Sequence, residues 1–141
     1  MRMLAATVAL VTLASCASQT QGPKVLSVQV FEQRSPSGRA VSIAGQHAFR
    51  VRVTNQSDEA VSIDSISLSS YSNQITIQNA DQVFQEILES GQTSDFPMWV
   101  DVTAPPMAYV YTIDSIDVAI TCHTTAKGTF TESGSHNVVA Q

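Results

Sequence analysis

Phe49-Arg50-Val51-Arg52-Val53-Thr54-Asn55-Gln56-Ser57-Asp58-Glu59-Ala60-Val61 is the stretch that decides the fold. Phe49, Val51 and Val53 alternate with Arg50 and Arg52, a period of two that puts apolar side chains on one face of a strand and cations on the other. Residues 55–59 are polar and read as a turn, after which residues 61–68 resume the β pattern. The same period recurs on both sides. Leu26, Val28 and Val30 alternate with Ser27, Gln29 and Phe31, and Val41 with Ile43 and Ile75 with Ile77 suggest two brief strands. Residues 83–88 read as a strand running into the Glu89-Ser90-Gly91 turn. Phe96, Met98, Val100 and Val102 form a long alternating strand, with Pro97 marking a sheet edge because proline donates no ladder hydrogen bond. Tyr109, Tyr111 and Ile113 lead into Ile116, Val118 and Ile120, and Lys127-Gly128 turns into a final strand through Phe130. Val138 and Val139 complete that strand after a break at Ser133-Gly134. No segment carries a helical period. The pattern predicts an all-β domain over residues 24–141, a two-sheet antiparallel sandwich of about seven to nine strands.

An internal echo refines this expectation. Val51-Arg-Val-Thr54 recurs as Val100-Asp-Val-Thr103, and Ile63-Asp-Ser-Ile66 recurs as Ile113-Asp-Ser-Ile116. In both copies the apolar parity slips by one residue, which requires a β-bulge or bend at Asp64-Ser65 and Asp114-Ser115. The repeat predicts two equivalent hairpins related by an approximate two-fold, with bends that let a strand leave one sheet for the other. A calcium site on the twin aspartates is the chemical alternative, although no Asp-x-Asp-x-Asp run supplies the six or more oxygens that ion wants.

The N-terminus has a separate logic. One cation (Arg2), an apolar run from Met3 to Leu13 and small residues before a cysteine follow the pattern of a secretory signal. Leu13-Ala14-Ser15-Cys16 resembles the lipobox of bacterial lipoproteins. That resemblance implies a signal peptide over residues 1–15, diacylation of Cys16 as the new N-terminus, and a flexible tether over residues 16–23. The apolar run is too short for a permanent spanning helix, so the expected membrane contact is the lipid anchor at Cys16. Ala17 carries no acidic retention signal, which favours the outer membrane within the cell envelope. With Cys16 lipidated, Cys122 has no intramolecular disulfide partner. The formal charge of -5, one unit more negative once Arg2 is removed, and the lack of any Lys/Arg cluster argue against nucleic acid. No glycine-rich loop precedes a helix, so nothing supports a nucleotide site.

From Phe49 the run into the polar turn, and later Leu88-Glu-Ser-Gly91-Gln-Thr before another alternating strand, resemble the immunoglobulin-like and fibronectin type III-like domains of bacterial envelope proteins, including the cell-adhesion-related bacterial domain. The resemblance covers most of the chain from Lys24 and rests on strand and turn physics. Antibody-type domains bridge their sheets with paired cysteines, which are absent here, and Trp99 has no such bridge to pack on. The resemblance implies a non-enzymatic accessory, assembly or adhesion-type role, with a protein partner in the envelope bound through loops or edge strands.

Candidate chemistry is sparse. No Gly-x-Ser-x-Gly elbow and no His-Glu-x-x-His pair is present, and Cys122-His123 lacks a third orienting group. A periplasmic copper-type metal site is the alternative function, drawing on Cys122, His123 and His136 with Met98 or Met107. Against it, neighbours on a strand point to opposite faces, so Cys122 and His123 do not form a natural pair. Among the aromatics, Trp99 is opposite in parity to Met98 and Val100. Its simpler expected place is under a loop. Exposed beside Tyr71 and Tyr109, it would form a carbohydrate or protein contact surface. Asn55-Gln-Ser57 matches a glycosylation sequon, which has no meaning in a bacterial lipoprotein.

Overall fold

The computed structural model describes residues 24–33, 44–70, 75–78, 80–105 and 112–141. Among these there is no helix, and eight strands follow one another: β1 (Leu26–Glu32), β2 (Gly45–Asn55), β3 (Val61–Ser70), β4 (Thr76–Gln78), β5 (Asp81–Leu88), β6 (Thr93–Thr103), β7 (Ser115–Thr124) and β8 (Gly128–Ala140). The expected elements are there, except that Val41, Ile43, Tyr109 and Tyr111 lie outside the described residues and Ile113, expected within the seventh strand, precedes it.

The strands form one continuous hydrogen-bonded order, β4-β6-β2-β1-β8-β7-β3-β5. This departs from two separate antiparallel sheets. β1 pairs antiparallel with β2 along its whole length and parallel with β8 at Val30–Val138, Phe31–Val139 and Glu32–Ala140, so that short seam joins the two halves. The sheet curls so that both halves contribute to one core: Phe49, Val51, Phe96 and Met98 from one, Ile63, Ile66, Ile116 and Ile120 from the other. The ring of Phe84 on β5 meets that of Phe96 on β6 edge-on, with centroids 4.9 Å apart. Burying these β-branched and aromatic side chains is the main driving force for closing the curl.

β2 is as the sequence predicts, with Phe49, Val51 and Val53 buried and Arg50 and Arg52 turned outward. Pro97 pairs with Arg50 of β2, and β4 reaches only Asp101–Thr103 of β6, so Pro97 does lie on a stretch with no described strand on its far side. The predicted bulge is present in β3, where the register shifts between Ile63 and Ser65 against both β5 and β7, and buried Ile63 and Ile66 keep facing the core across the slip. On β5, Phe84 and Gln85 lie between the residues paired with Ser65 and Ile63, and Gln85 takes a left-handed φ of 56°. The second copy differs: Asp114 precedes β7, and its carbonyl accepts from the Val138 amide at 2.8 Å. The repeats are not hairpins either. β2 pairs with β6 and β3 with β7, so each copy is a crossover from one half to the other and the copies lie side by side.

The last strand corrects another expectation. β8 runs unbroken through Ser133-Gly134, because ten consecutive pairs with β7, from Ser115–Asn137 to Thr124–Gly128, outweigh the local turn preference of glycine.

The tightest polar feature is Asn55, wholly buried at the end of β2. Its Nδ2 donates to the carbonyls of Glu59 (2.7 Å) and Leu88 (3.0 Å), and its Oδ1 accepts from the Ser57 amide (2.9 Å) and hydroxyl (2.7 Å). Its backbone amide donates to Gln92 O, and its carbonyl accepts from Gly91 N. The sequon-like tripeptide is therefore an Asx turn that ties the β2–β3 crossover to the β5–β6 crossover. Replacing Asn55 by Ala leaves two carbonyls and the Ser57 donors without these partners. The expected loss is about 3 kcal/mol of unfolding free energy, measured by urea denaturation, whereas Ser57→Ala costs about 1 kcal/mol.

Candidate binding surface

The outward side chains of β1, β2 and β6 assemble one outer face from residues widely separated in sequence. The guanidinium groups of Arg50 and Arg52 both lie over the Phe31 ring, 5.0 Å and 5.1 Å from its centroid. Arg52 grips Asp95 on β6 through two bonds, Nε to Oδ1 at 2.7 Å and Nη2 to Oδ2 at 3.0 Å. That hydrogen bonding raises the Arg52 pKa and holds the Asp95 carboxyl below the usual carboxylate range. Arg50 Nε lies 3.6 Å from Asp95 Oδ2, and Arg50 Nη2 donates to Gln141 Oε1.

Trp99 shares this face. It is in register with Ala48, two residues beyond Pro97, with 56% of its surface exposed. The expectation that a loop covers it is not met. β6 buries Phe96, Met98, Val100 and Val102, which leaves the odd-numbered positions to the outside, and small Ala48 opposite leaves the indole open. An uncovered indole beside proline and a stacked arginine offers apolar area at low conformational cost, which is the chemistry of a recognition patch. Tyr71 and Tyr109, expected to extend this surface, lie outside the described residues, as do Leu13, Ala14, Ser15 and Cys16.

The copper-type set does not converge. Cys122 is fully buried, paired with Phe130, and burial above all pushes its thiol up to about 12. His123 points the other way, to the exposed face, where its Nδ1 lies 2.8 Å from Asp64 Oδ2. His136 is in register with Ile116, six residues along β7 from Cys122, a separation of roughly 20 Å. Met98 is a core residue, and Met107 lies outside the described residues. Among the described residues no three of His, Cys, Asp or Glu gather as metal ligands. The twin aspartates are no closer to a calcium site. Asp64 engages Ser62 and His123, Asp114 accepts from Thr112, and they sit towards opposite ends of β7.

His136 belongs instead to a cleft of about 260 Å³ that opens where β1 and β8 diverge, walled by Leu26, Val28, Val118 and Ile120. Burial there, and then the charge of Lys24, lower the His136 pKa, with Asp117 opposing. Glu132 spans the opening and accepts from the Val25 amide at 2.5 Å and the Leu26 amide at 3.0 Å. At the other end of β1, the His47 Nδ1 lies 2.5 Å from Oε1 of buried Glu32. Neither carboxylate role is readable from sequence, since both partners are remote along the chain.

No family model and no curated protein matches the sequence. Solved structures similar to it include a copper-bound PCuAC domain from PmoF2 (11% identity, 84% of this chain and 95% of that one, TM-score 0.41). A FixG-related protein from Vibrio parahaemolyticus is similar at 13% identity, 82% and 97% coverage and a TM-score of 0.37. A putative late embryogenesis abundant protein shares 17% identity over 86% of this chain and 73% of that one, with a TM-score of 0.43.

Trp99 is the sole tryptophan, so the folded chain should emit at the red end of the protein range and be quenched by acrylamide nearly as fast as the unfolded chain. Cys122 should resist a disulfide-exchange reagent at pH 8 in the folded state and react within minutes in denaturant.

Proposed function

We propose that this chain is a non-enzymatic lipoprotein of the bacterial cell envelope, an immunoglobulin-like sandwich carried by an acylated Cys16 and acting as an accessory or assembly module for another envelope protein. What carries the binding role is the exposed Trp99 on the outer face of β1, β2 and β6. The position suits the role. Lys24, where the tether would enter, adjoins the Leu26–Asn55 end of the sheet, while Trp99 is level with Ala48, roughly 23 Å along β2. A lipid-held domain would thus present the indole on its side away from the membrane. The curl of two half-sheets over one core supports the sandwich reading, and Ala17, which carries no acidic retention signal, supports the outer-membrane placement. The metal-binding alternative loses its ligands, because Cys122, His123 and His136 are apart.

Intact mass spectrometry of the membrane fraction should find residues 1–15 removed and a diacylglyceryl group on Cys16, and Cys16→Ser should move the protein out of that fraction. A photo-crosslinking amino acid at position 99, in cells, should give one discrete adduct with an envelope protein, and the same group at Thr131 on β8 should give none. An unmodified Cys16 would remove the anchor, and identical adduct patterns at both positions would remove the binding face.

A further inference from the structure

β5 is the terminal strand of the sheet, and no described strand pairs with its far side. It also carries the two most exposed large apolar side chains among the described residues, Val83 at 74% and Ile87 at 61%. These project from the same face, with Gln85 between them. An edge strand of this kind is one that proteins normally blunt with lysine. Here there is none. Lysine and arginine are absent from the whole interval between Arg52 and Lys127, which holds ten of the chain's 12 acidic residues. Asp81 and Glu89 stand exposed at the two ends of the strand, and Asp64 lies on the neighbouring β3. Glu86 is turned inward and accepts a hydrogen bond from Ser94.

We infer that the β5 edge is a docking site for an extended basic segment of another protein, whose apolar side chains cover Val83 and Ile87 and whose lysines or arginines meet Asp81 and Glu89. The choice of occupant follows from charge and shape. A second copy of this chain would bring acidic ends against acidic ends. The left-handed Gln85 breaks the edge into two short arms, so a long flat pairing of β5 with itself is also interrupted. A foreign segment can bond its main chain to either arm, drawing the rest of its hold from the exposed side chains and the negative field of Asp81 and Glu89 at the two ends of the strand. This inference shares with the proposed function only the idea of a binding module, and it uses a different surface from Trp99.

The test uses the full chain and a fluorescein-labelled peptide of alternating valine and threonine with paired lysines at both ends, read by anisotropy. Binding should be saturable and should weaken at least about tenfold when the lysines are replaced by glutamate. The double variant Val83→Ser/Ile87→Ser should weaken it by at least about tenfold with an unchanged melting curve, since both side chains are exposed. Asp81→Asn/Glu89→Gln should flatten the salt dependence. Trp99→Ala should bind the peptide as the parent does, which separates a failure here from a failure of the Trp99 face. Equal affinity for the glutamate peptide, or undiminished binding by the serine variant, would overturn the inference. So would a dimer in sedimentation that the serine variant abolishes, which would make the occupant a second copy.

Discussion

Closing a single curled sheet over its own core requires the chain to cross repeatedly between the halves, and each crossing exposes backbone groups that need partners. Asn55 meets that constraint at one end of the molecule. One buried amide satisfies two carbonyls and two donors while its own backbone bonds to Gly91 and Gln92, so two crossovers are held by one residue. The gain is in geometry as much as in energy. With the β2–β3 and β5–β6 turns fixed to one another, the inner faces of β2 and β6 are set opposite those of β3 and β7, and the isoleucines and phenylalanines can interdigitate.

The same requirement explains the irregularities. A strand that leaves one half must turn its apolar set towards the other, and the slip at Asp64 does this by inserting one residue between buried Ile63 and Ile66. β5 absorbs the matching strain at Gln85, whose side chain faces solvent. Strain is stored at the edge, where no second ladder among the described strands has to follow it.

Much of this was legible in the chain. The Arg50–Arg52 alternation announces β2, the Asp64 parity slip announces the bulge, and the odd number of Trp99 announces its outward direction. What could not be read belongs to pairing between remote segments. β8 has no fully buried position, and its half-buried ones include Glu132, Gly134 and His136, so its apolar pattern breaks at Gly134 although the ladder with β7 does not. The parallel seam between β1 and β8 is three pairs long and has no signature of its own. Whether Trp99 was covered depended on the size of the residue across from it, and Ala48 is in register only through the β2–β6 pairing. Pairing of the last two strands is what would bring His136 to Cys122, and the strands do pair, but their register sets His136 of β8 against Ile116 and Cys122 against Phe130.

The placement of the two described termini has a mechanical meaning. The chain enters at Lys24, ahead of β1, and leaves at Gln141, whose amide bonds to Glu32 O at the far end of that strand. β1 and β8 are parallel neighbours, so tension applied between Lys24 and Gln141 would act along the strands and load the β1–β2 ladder and the β1–β8 seam in shear. Many bonds resist together in that arrangement, unlike the one-by-one peeling of a hairpin. Glu132, clasping the first two amides ahead of the seam, adds a charged catch at the point where such a load would arrive.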